Sequence, residues 1–567
     1  MPLSDKKLPA RARSLAPRPV LLVMQGLFWL VIMHLPWPNN GDYGMNLPMN
    51  PLTWSFISLF SLYIWLMTDI PILRVTPFFW MVVCSAVLFT LPVLWALSEG
   101  IMLALPRLLG IWGGVMVYLT LLQSPFREKE TVTMFYFLAG AAVIETIISL
   151  MGFYCPPLLP FPLDALAQHY KGYAPGIFQQ VNVTASFLAT GLAPLLFLLA
   201  DRRQALVRSR AETGRLAALG LSIIIVSAAL VLFHSRIGWI GGITAAICTS
   251  VLFGSARFRY KTTRWRRALI ILLPVAGGMV GAVLLNGSVA DSLRHDGSNH
   301  QRFLTLDYTL RMIALHPFKG WGLGMFEPAF QNFMAALPFA NPSREMMQHP
   351  HNEILFIWAE GGVLALAGGL FLLAGWYLLY HQRKTLWQWE ALLTTLPILL
   401  HTQVEFPLYY SVPHFFALLL MLAAAENQYN TLRITVVFLR KSLVAVSLYG
   451  IILCGQLFIS SIKLGEFETG RLAHPESVVT LKAAWLMQMR YKRDVSLLHL
   501  SRFNHSGNME ELEAFAKENG KWIEQHMEED AYNDQINVLL FLNRRSEARE
   551  LKQRAHRLMP WDDRFAS

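Results

Sequence analysis

Of 567 residues, 54% are hydrophobic and only 15% are charged, whereas a soluble domain carries about a quarter. This balance excludes a plain string of soluble domains and points to a polytopic membrane bundle with a soluble tail. The net charge of +11 would signal a nucleic-acid partner only if gathered on one surface, and cytoplasmic loops of membrane proteins collect Lys and Arg for topological reasons.

The chain opens on a basic segment, residues 1–18, with Lys6, Lys7, Arg11, Arg13 and Arg18, followed by an apolar run from Pro19 to Trp37. No small-residue cleavage site follows that run, so it reads as an uncleaved first span with a cytoplasmic N-terminus. Further spans are expected near 52–70, 76–97, 102–123, 132–152, 183–200, 216–233, 237–254, 268–285, 354–380, 386–403, 411–425 and 442–460. The predicted fold class is therefore all-α, an integral membrane helical bundle of about 12–13 transmembrane helices over 19–462. Alternating from an inside start puts Arg127/Lys129, Arg202 to Arg215, Arg257 to Arg267, Arg383/Lys384 and Arg440/Lys441 in the cytoplasm, in keeping with the positive-inside rule. These basic groups are short, separated and each beside a span, so no nucleic-acid partner is expected. Segments 39–51, 152–182, 286–352 and 404–410 then lie outside, with the tail 463–567. The tail reads as a small helical domain with amphipathic helices at Val478–Met489, Met509–Gln525, Ala531–Leu542 and Glu547–Leu558, an array of helical hairpins without a clean repeat.

The four cysteines, Cys84, Cys155, Cys248 and Cys454, are scattered without CxxC spacing, and support neither a disulfide framework nor a zinc site. No P-loop, Rossmann glycine pattern, HExxH or external acidic pair is present, so no metal and no cofactor are expected. The external segment 286–352 is unusually cationic, with Arg294, His295, His300, Arg302, Arg311, His316, Lys319, Arg344, His349 and His351. Two readings are open: an anion-binding surface suited to a phosphate or pyrophosphate at the membrane face, or a solvated loop paired with Asp291, Asp296, Asp307, Glu327 and Glu345. Arg236 stands between two apolar runs close to the external interface, where a charge snorkels or meets an anion. His351 directly precedes the run from Ile354, at the level where a histidine can accept a proton near neutral pH. Glu145 and Glu360 lie within apolar runs, where pairing between helices competes with substrate contact. The glycines at 361, 362, 368 and 369 read as positions of close helix approach.

Three stretches resemble one superfamily, the bacterial O-antigen ligases, O-antigen polymerases and protein O-oligosaccharyltransferases of the PglL type. His351-Asn352, nine residues and Gly362 are similar to the ligase pattern, with Ala365 departing at its last position. Gly176-Ile177-Phe178-Gln179-Gln180-Val181-Asn182 looks like the Gln-x-Asn segment of pilin glycosylation ligases, and His401-Thr402-Gln403-Val404-Glu405-Phe406-Pro407-Leu408 like the Glu-Phe-Pro stretch of the protein-glycosylating branch. The resemblance implies a metal-independent glycosyltransferase of the bacterial inner membrane with its active site facing the periplasm. Its donor would be a glycan on undecaprenyl pyrophosphate, and its acceptor a Ser or Thr of a pilin-like or other periplasmic protein. Segment 286–352 and tail 463–567 would then be periplasmic. In that reading His351 accepts or orients the hydroxyl proton, and Arg236 and Arg302 stabilise the departing pyrophosphate. Gln180, Asn182, Arg311, Lys319, His349, Asn352, His401 and Glu405 would contact substrate or position the reacting groups. Ligation to lipid A core and repeat-unit polymerisation use the same donor chemistry, and a lipid-linked-sugar transporter without chemistry is the alternative of another class.

Overall fold

The computed structural model describes residues 18–37, 39, 43–67, 73–161, 163–169, 176–285, 296–432 and 436–566. Lys6, Lys7, Arg11, Arg13, Asp291, Arg294 and His295 lie outside the described residues.

In chain order the α-helices are α1 (Arg18–Leu30), α2 (Met49–Met67), α3 (Pro77–Thr90), α4 (Ser98–Gln123), α5 (Glu128–Tyr154), α6 (Leu163–His169), α7 (Val181–Ala200), α8 (Ser209–Leu232), α9 (Arg236–Gly254) and α10 (Arg264–Leu284). They continue as α11 (Asp296–Leu315), α12 (Phe326–Ala335), α13 (Glu353–Gln382), α14 (Leu386–Leu393), α15 (Leu396–His401), α16 (Pro407–Tyr410), α17 (Val412–Ala425) and α18 (Val436–Glu468). The tail adds α19 (Gln488–Ser506), α20 (Met509–Gln525), α21 (Glu529–Phe541) and α22 (Arg545–Leu558). One antiparallel pair, β1 (Leu73–Val75) with β2 (Asn430–Leu432), sets Arg74 opposite Thr431. The architecture is all-α and polytopic: among the described residues nine helices are long and apolar enough to cross a membrane, and Arg18–His34 and Val412–Ala425 are shorter apolar helices.

The expected span 386–403 is divided into α14 and α15, which meet at Thr394 and Thr395. Thr394 and Thr395 return their hydroxyls to the Glu390 and Leu392 carbonyls, the local bonding by which Thr competes with continuous helix. In the tail, the expected helix Val478–Met489 is instead two short 3-10 turns, Pro475–Thr480 and Ala484–Leu486, and the unexpected long helix is α19. Pro475 lacks a backbone donor, and α19 stops at Gly507 in the left-handed region (φ 69°).

The core is built around α7, whose membrane-length stretch is buried throughout by its neighbours. Helices α5 and α9 flank it, α8 packs on α10, α3 on α13 and α2 on α18. Small residues set a close seam: a Cβ on Gly238 would lie 2.6 Å from Ala185 Cβ, and one on Gly241 2.9 Å from Ala189 Cβ. Without lipid-excluded water to drive them together, helices gain from such close approach. Thus the start of α9 is locked against the start of α7.

Helix α13 is broken at Gly362, which has φ 65° and ψ −158°. The turn from Phe318 to Gly322 fills the break: Trp321 N donates to Ala359 O at 2.8 Å, Gly322 N to Glu360 O at 3.1 Å, and Val363 N to Phe318 O at 3.2 Å. The backbone groups freed by the kink are therefore satisfied by another segment. Gly362 serves this break, whereas Gly368 fits the expectation of close approach, facing Phe89 of α3.

Candidate functional site

Three helix starts converge on one loop. Gln180 caps α7, its side chain accepting from Val183 N; Ser235 caps α9, accepting from Gly238 N; Asn352 caps α13, accepting from Leu355 N. Each cap follows a non-glycine residue with positive φ: Gln179 (57°), His234 (53°) and His351 (55°). Among the described residues only Asn543, in the tail, shares that conformation. Such backbones cost about 1–3 kcal/mol each and gather at functional sites. Three helix N-termini aimed at one place also supply partial positive charge suited to an anion.

Glu405, in the turn between α15 and α16, is the hub. Its Oε1 accepts from Arg302 Nη2 at 2.7 Å and from Asn182 Nδ2 at 2.6 Å, and its Oε2 from Gln180 Nε2 at 3.2 Å. His401 Nε2 lies 3.1 Å from the same Oε2. Asn182 uses its other end on Ser235, whose Oγ donates to Oδ1 at 2.8 Å, so Arg236, the first residue of α9, follows directly from this network. Although burial alone would raise its pKa, the Glu405 carboxyl is held down at about 2, first by the hydrogen bond with His401 and then by the charge of Arg302. Charge-assisted bonds to several donors favour the ionised form.

His351 stands over this loop because Asn352 Nδ2 donates to Gln403 O at 3.2 Å and Glu353 N to Thr402 O at 3.0 Å. Its backbone N donates to His349 Nδ1 at 3.0 Å, while its own Nδ1 is buried without a hydrogen-bond partner. Burial pushes the His351 imidazole down to about 4; the Glu405 charge opposes this, and His349 and Arg302 reinforce it. The ring is accordingly neutral at pH 7, with its Nδ1 unpaired. His349 is more enclosed, its ring 4.3 Å from Phe356 and 4.9 Å from Phe406, with Nε2 3.5 Å from Glu353 Oε2.

The structure brings together Gln180, Asn182, Arg302, His401 and Glu405 by direct bonds, with His351, His349 and Asn352 on the adjoining loop. Arg311 and Lys319 lie elsewhere. Arg311, about 13 Å along α11 from Arg302, pairs with Asp307 at 2.9 Å and is exposed. Lys319 is exposed on the turn that fills the α13 break, where its carbonyl accepts from Trp95 Nε1 at 3.0 Å. Glu327 pairs with His526 of the tail at 3.2 Å. Of the two intramembrane carboxyls, Glu360 bonds Arg107 of α4, and Glu145 accepts from Ile177 N at 2.9 Å, holding the loop that delivers Gln180. Among the described residues no group of three or more His, Cys, Asp or Glu is placed to hold a metal ion.

Sequence reading missed Ser186, Ser411 and His414, which extend the network behind His401, and Arg107, Glu353 and Tyr409, which form a second polar cluster beneath His349. A usable signal was present in the pair Asn182/Ser186, four residues apart, a spacing that puts both members on one helical face. Arg107 could have been found as a cation inside an apolar run.

Residues 221–400 match the family model described as O-antigen ligase, and residues 389–567 match that described as virulence factor membrane-bound polymerase, C-terminal. No curated protein matches the chain. The first match spans Arg236, Arg302 and His351, the second His401, Glu405 and the tail. These matches support a likeness to the O-antigen ligases and membrane-bound polymerases and, with the long apolar helices, a multi-pass membrane enzyme of that general type.

Proposed function

We propose that this protein is an oligosaccharyltransferase of the inner membrane, which moves a glycan en bloc from undecaprenyl pyrophosphate to a Ser or Thr hydroxyl of a periplasmic protein. The observation that carries the reading is the convergence of Arg302, Asn182, Gln180 and His401 on Glu405, with the unpaired nitrogen of His351 on the adjoining loop.

The acceptor oxygen attacks the anomeric carbon as the bond from that carbon to the pyrophosphate oxygen breaks, and the electron pair leaves with the diphosphate. Arg302 spends one edge on Glu405 and is about a third exposed, so its remaining N–H groups are available to the leaving oxygens. Arg236 and the N-termini of α7, α9 and α13 add positive potential there, stabilising charge that develops only in the transition state. The His351 imidazole receives the hydroxyl proton. Its low basicity in the free enzyme suits a late transfer, and an anionic donor beside it favours the imidazolium that forms. A single displacement inverts the anomeric centre.

A protein acceptor is favoured by how the tail is attached. Asn341 Nδ2 donates to Leu558 O at 2.8 Å, Glu327 bonds His526 and Met527 N, and Ala335 and Met346 pack into the tail core around Trp522 and Tyr532. A water-facing helical surface is thereby fixed to the segment that carries Arg302. Repeat-unit polymerisation is the second reading, favoured by the match of residues 389–567 to the C-terminal family of membrane-bound polymerases.

The test is transfer by the purified chain in nanodiscs from undecaprenyl-pyrophosphate-linked glycan, offered pilin-like protein, lipid A core or a second donor molecule. Protein glycosylation that is lost in Arg302→Ala and His351→Ala is expected. Transfer to lipid A core alone, or chain growth on the donor alone, refutes the protein acceptor. Full activity in folded single variants of Arg236, Arg302 and His351 refutes the site.

A further inference from the structure

Behind Glu405 runs a buried line of side chains that the transfer mechanism does not use. His401 Nδ1 lies 2.8 Å from Ser186 Oγ, Ser186 Oγ 3.0 Å from His414 Nε2, and His414 Nδ1 2.8 Å from Ser411 Oγ. All four side chains are at most 1% exposed. The wall is apolar: the Phe178 and Phe187 rings lie 5.1 and 5.3 Å from the His414 ring.

The direction of each hydrogen bond follows from its end point. Glu405 is ionised, so it accepts from His401 Nε2–H. With the Nε2 proton directed at Glu405 and none on Nδ1, His401 offers Nδ1 as an acceptor, which Ser186 O–H fills. With its proton committed, the Ser186 oxygen accepts from His414 Nε2–H, and His414 Nδ1 accepts from Ser411 O–H. Val183 O, 3.1 Å from Ser186 Oγ, is the competing acceptor at greater distance. In that tautomer every link donates toward Glu405, and in a dry environment each bond polarises the next. The helices explain the alignment: Asn182 and Ser186 sit one turn apart on α7 and face His401 and Glu405, while the Ser411 cap of α17 fixes His414.

Resting on the glycosyl-transfer reading above, we propose that Ser186 and His414 are positioning residues, which set the tautomer and ring orientation of His401 and through it the carboxylate that holds Arg302, Asn182 and Gln180. Neither touches substrate. Their effect is on how accurately Glu405 presents Arg302 to the leaving group, where a small misplacement costs up to about a hundred-fold in rate.

The experiment uses the full chain in nanodiscs with ¹⁵N-labelled histidine, the His401 signal being assigned by its loss in His401→Gln. The expected wild-type result is a neutral His401 protonated at Nε2. In Ser186→Ala and His414→Leu that tautomer is no longer fixed, and kcat falls ten-fold or more while KM for the donor changes little. His414→Gln, which keeps an amide donor near the Nε2 position, recovers most of the loss. The proposal is overturned if both disruptive variants keep wild-type kcat and the wild-type His401 signal. It is equally overturned if kcat falls only in proportion to folded protein, or if wild-type His401 is an imidazolium. Arg302→Ala and Glu405→Gln run alongside: full transfer in these two sinks the site reading itself, while the His401 signal still decides the direction of the chain.

Discussion

The acid limb of the pH profile follows from the surroundings of His351. An ordinary histidine has a pKa near 6.5, and burial takes His351 to about 4, a difference of about 3 kcal/mol against the charged ring. Between pH 7.5 and pH 5.5 the neutral fraction of an ordinary histidine falls about ten-fold, whereas a group at 4 loses only a few per cent. Because kcat/KM reports the free enzyme, it should be flat over this interval and decline only as the pH falls toward 4. The bound diphosphate favours the imidazolium, so the limb of kcat should lie at higher pH than that of kcat/KM. Initial rates of glycan transfer in nanodiscs, with donor below and above KM, measure the two. His351→Gln should lower kcat/KM by about 10²–10⁴-fold and remove the limb. A ten-fold fall of wild-type kcat/KM between pH 7.5 and 5.5 that disappears in His351→Gln would refute the burial argument, because the base would then titrate as if solvated.

Arg302→Ala should lower kcat by about 10²–10³-fold, and Arg302→Lys should recover little, since one ammonium cannot both hold Glu405 and grip a phosphate edge; equal rates for Arg and Lys contradict this. Gly362→Ala should destabilise the bundle, because the residue has φ 65° and its Cβ would run into the Phe318 carbonyl. The backbone strain alone is about 1–3 kcal/mol, and an unchanged thermal midpoint in detergent would rule the reasoning out. In the tail, burial, reinforced by the nearby Glu468, lifts the Asp494 carboxyl well above the ordinary aspartate range. The folded state then keeps a proton that the unfolded chain releases above about pH 4, so this group makes tail stability fall as pH rises toward the folded value. Asp494→Asn should remove that loss, seen as higher resistance of residues 488–541 to protease at pH 8 than in the wild type; no difference at pH 8 counts against it.

What the sequence by itself determined is the part governed by local physics. Apolar length and sparse charge define membrane helices, because unsatisfied backbone groups are costly in lipid. The apolar run from Ile354 likewise reads directly as a membrane helix starting beside His351. The resemblance in three separated stretches marked Gln180, Asn182, His351, Asn352, His401 and Glu405, and the fold joins Gln180, Asn182 and His401, together with Arg302, on the carboxylate of Glu405. Composition did not separate Arg302 from Arg311, since two arginines on one helix look alike until their partners are known; only packing gives one Glu405 and the other the exposed Asp307. Nor did it mark Ser186 or His414, because a serine and a histidine in apolar runs acquire roles only when α7, α15 and α17 bury them against one another. The break in α13 is likewise tertiary: Gly362 permits the left-handed backbone, but the turn from Phe318 to Gly322 satisfies the bonds that the break exposes. Periodicity and capping act within a few residues, whereas the partner of a buried polar group is chosen by segments hundreds of residues apart, which only the folded chain brings into contact.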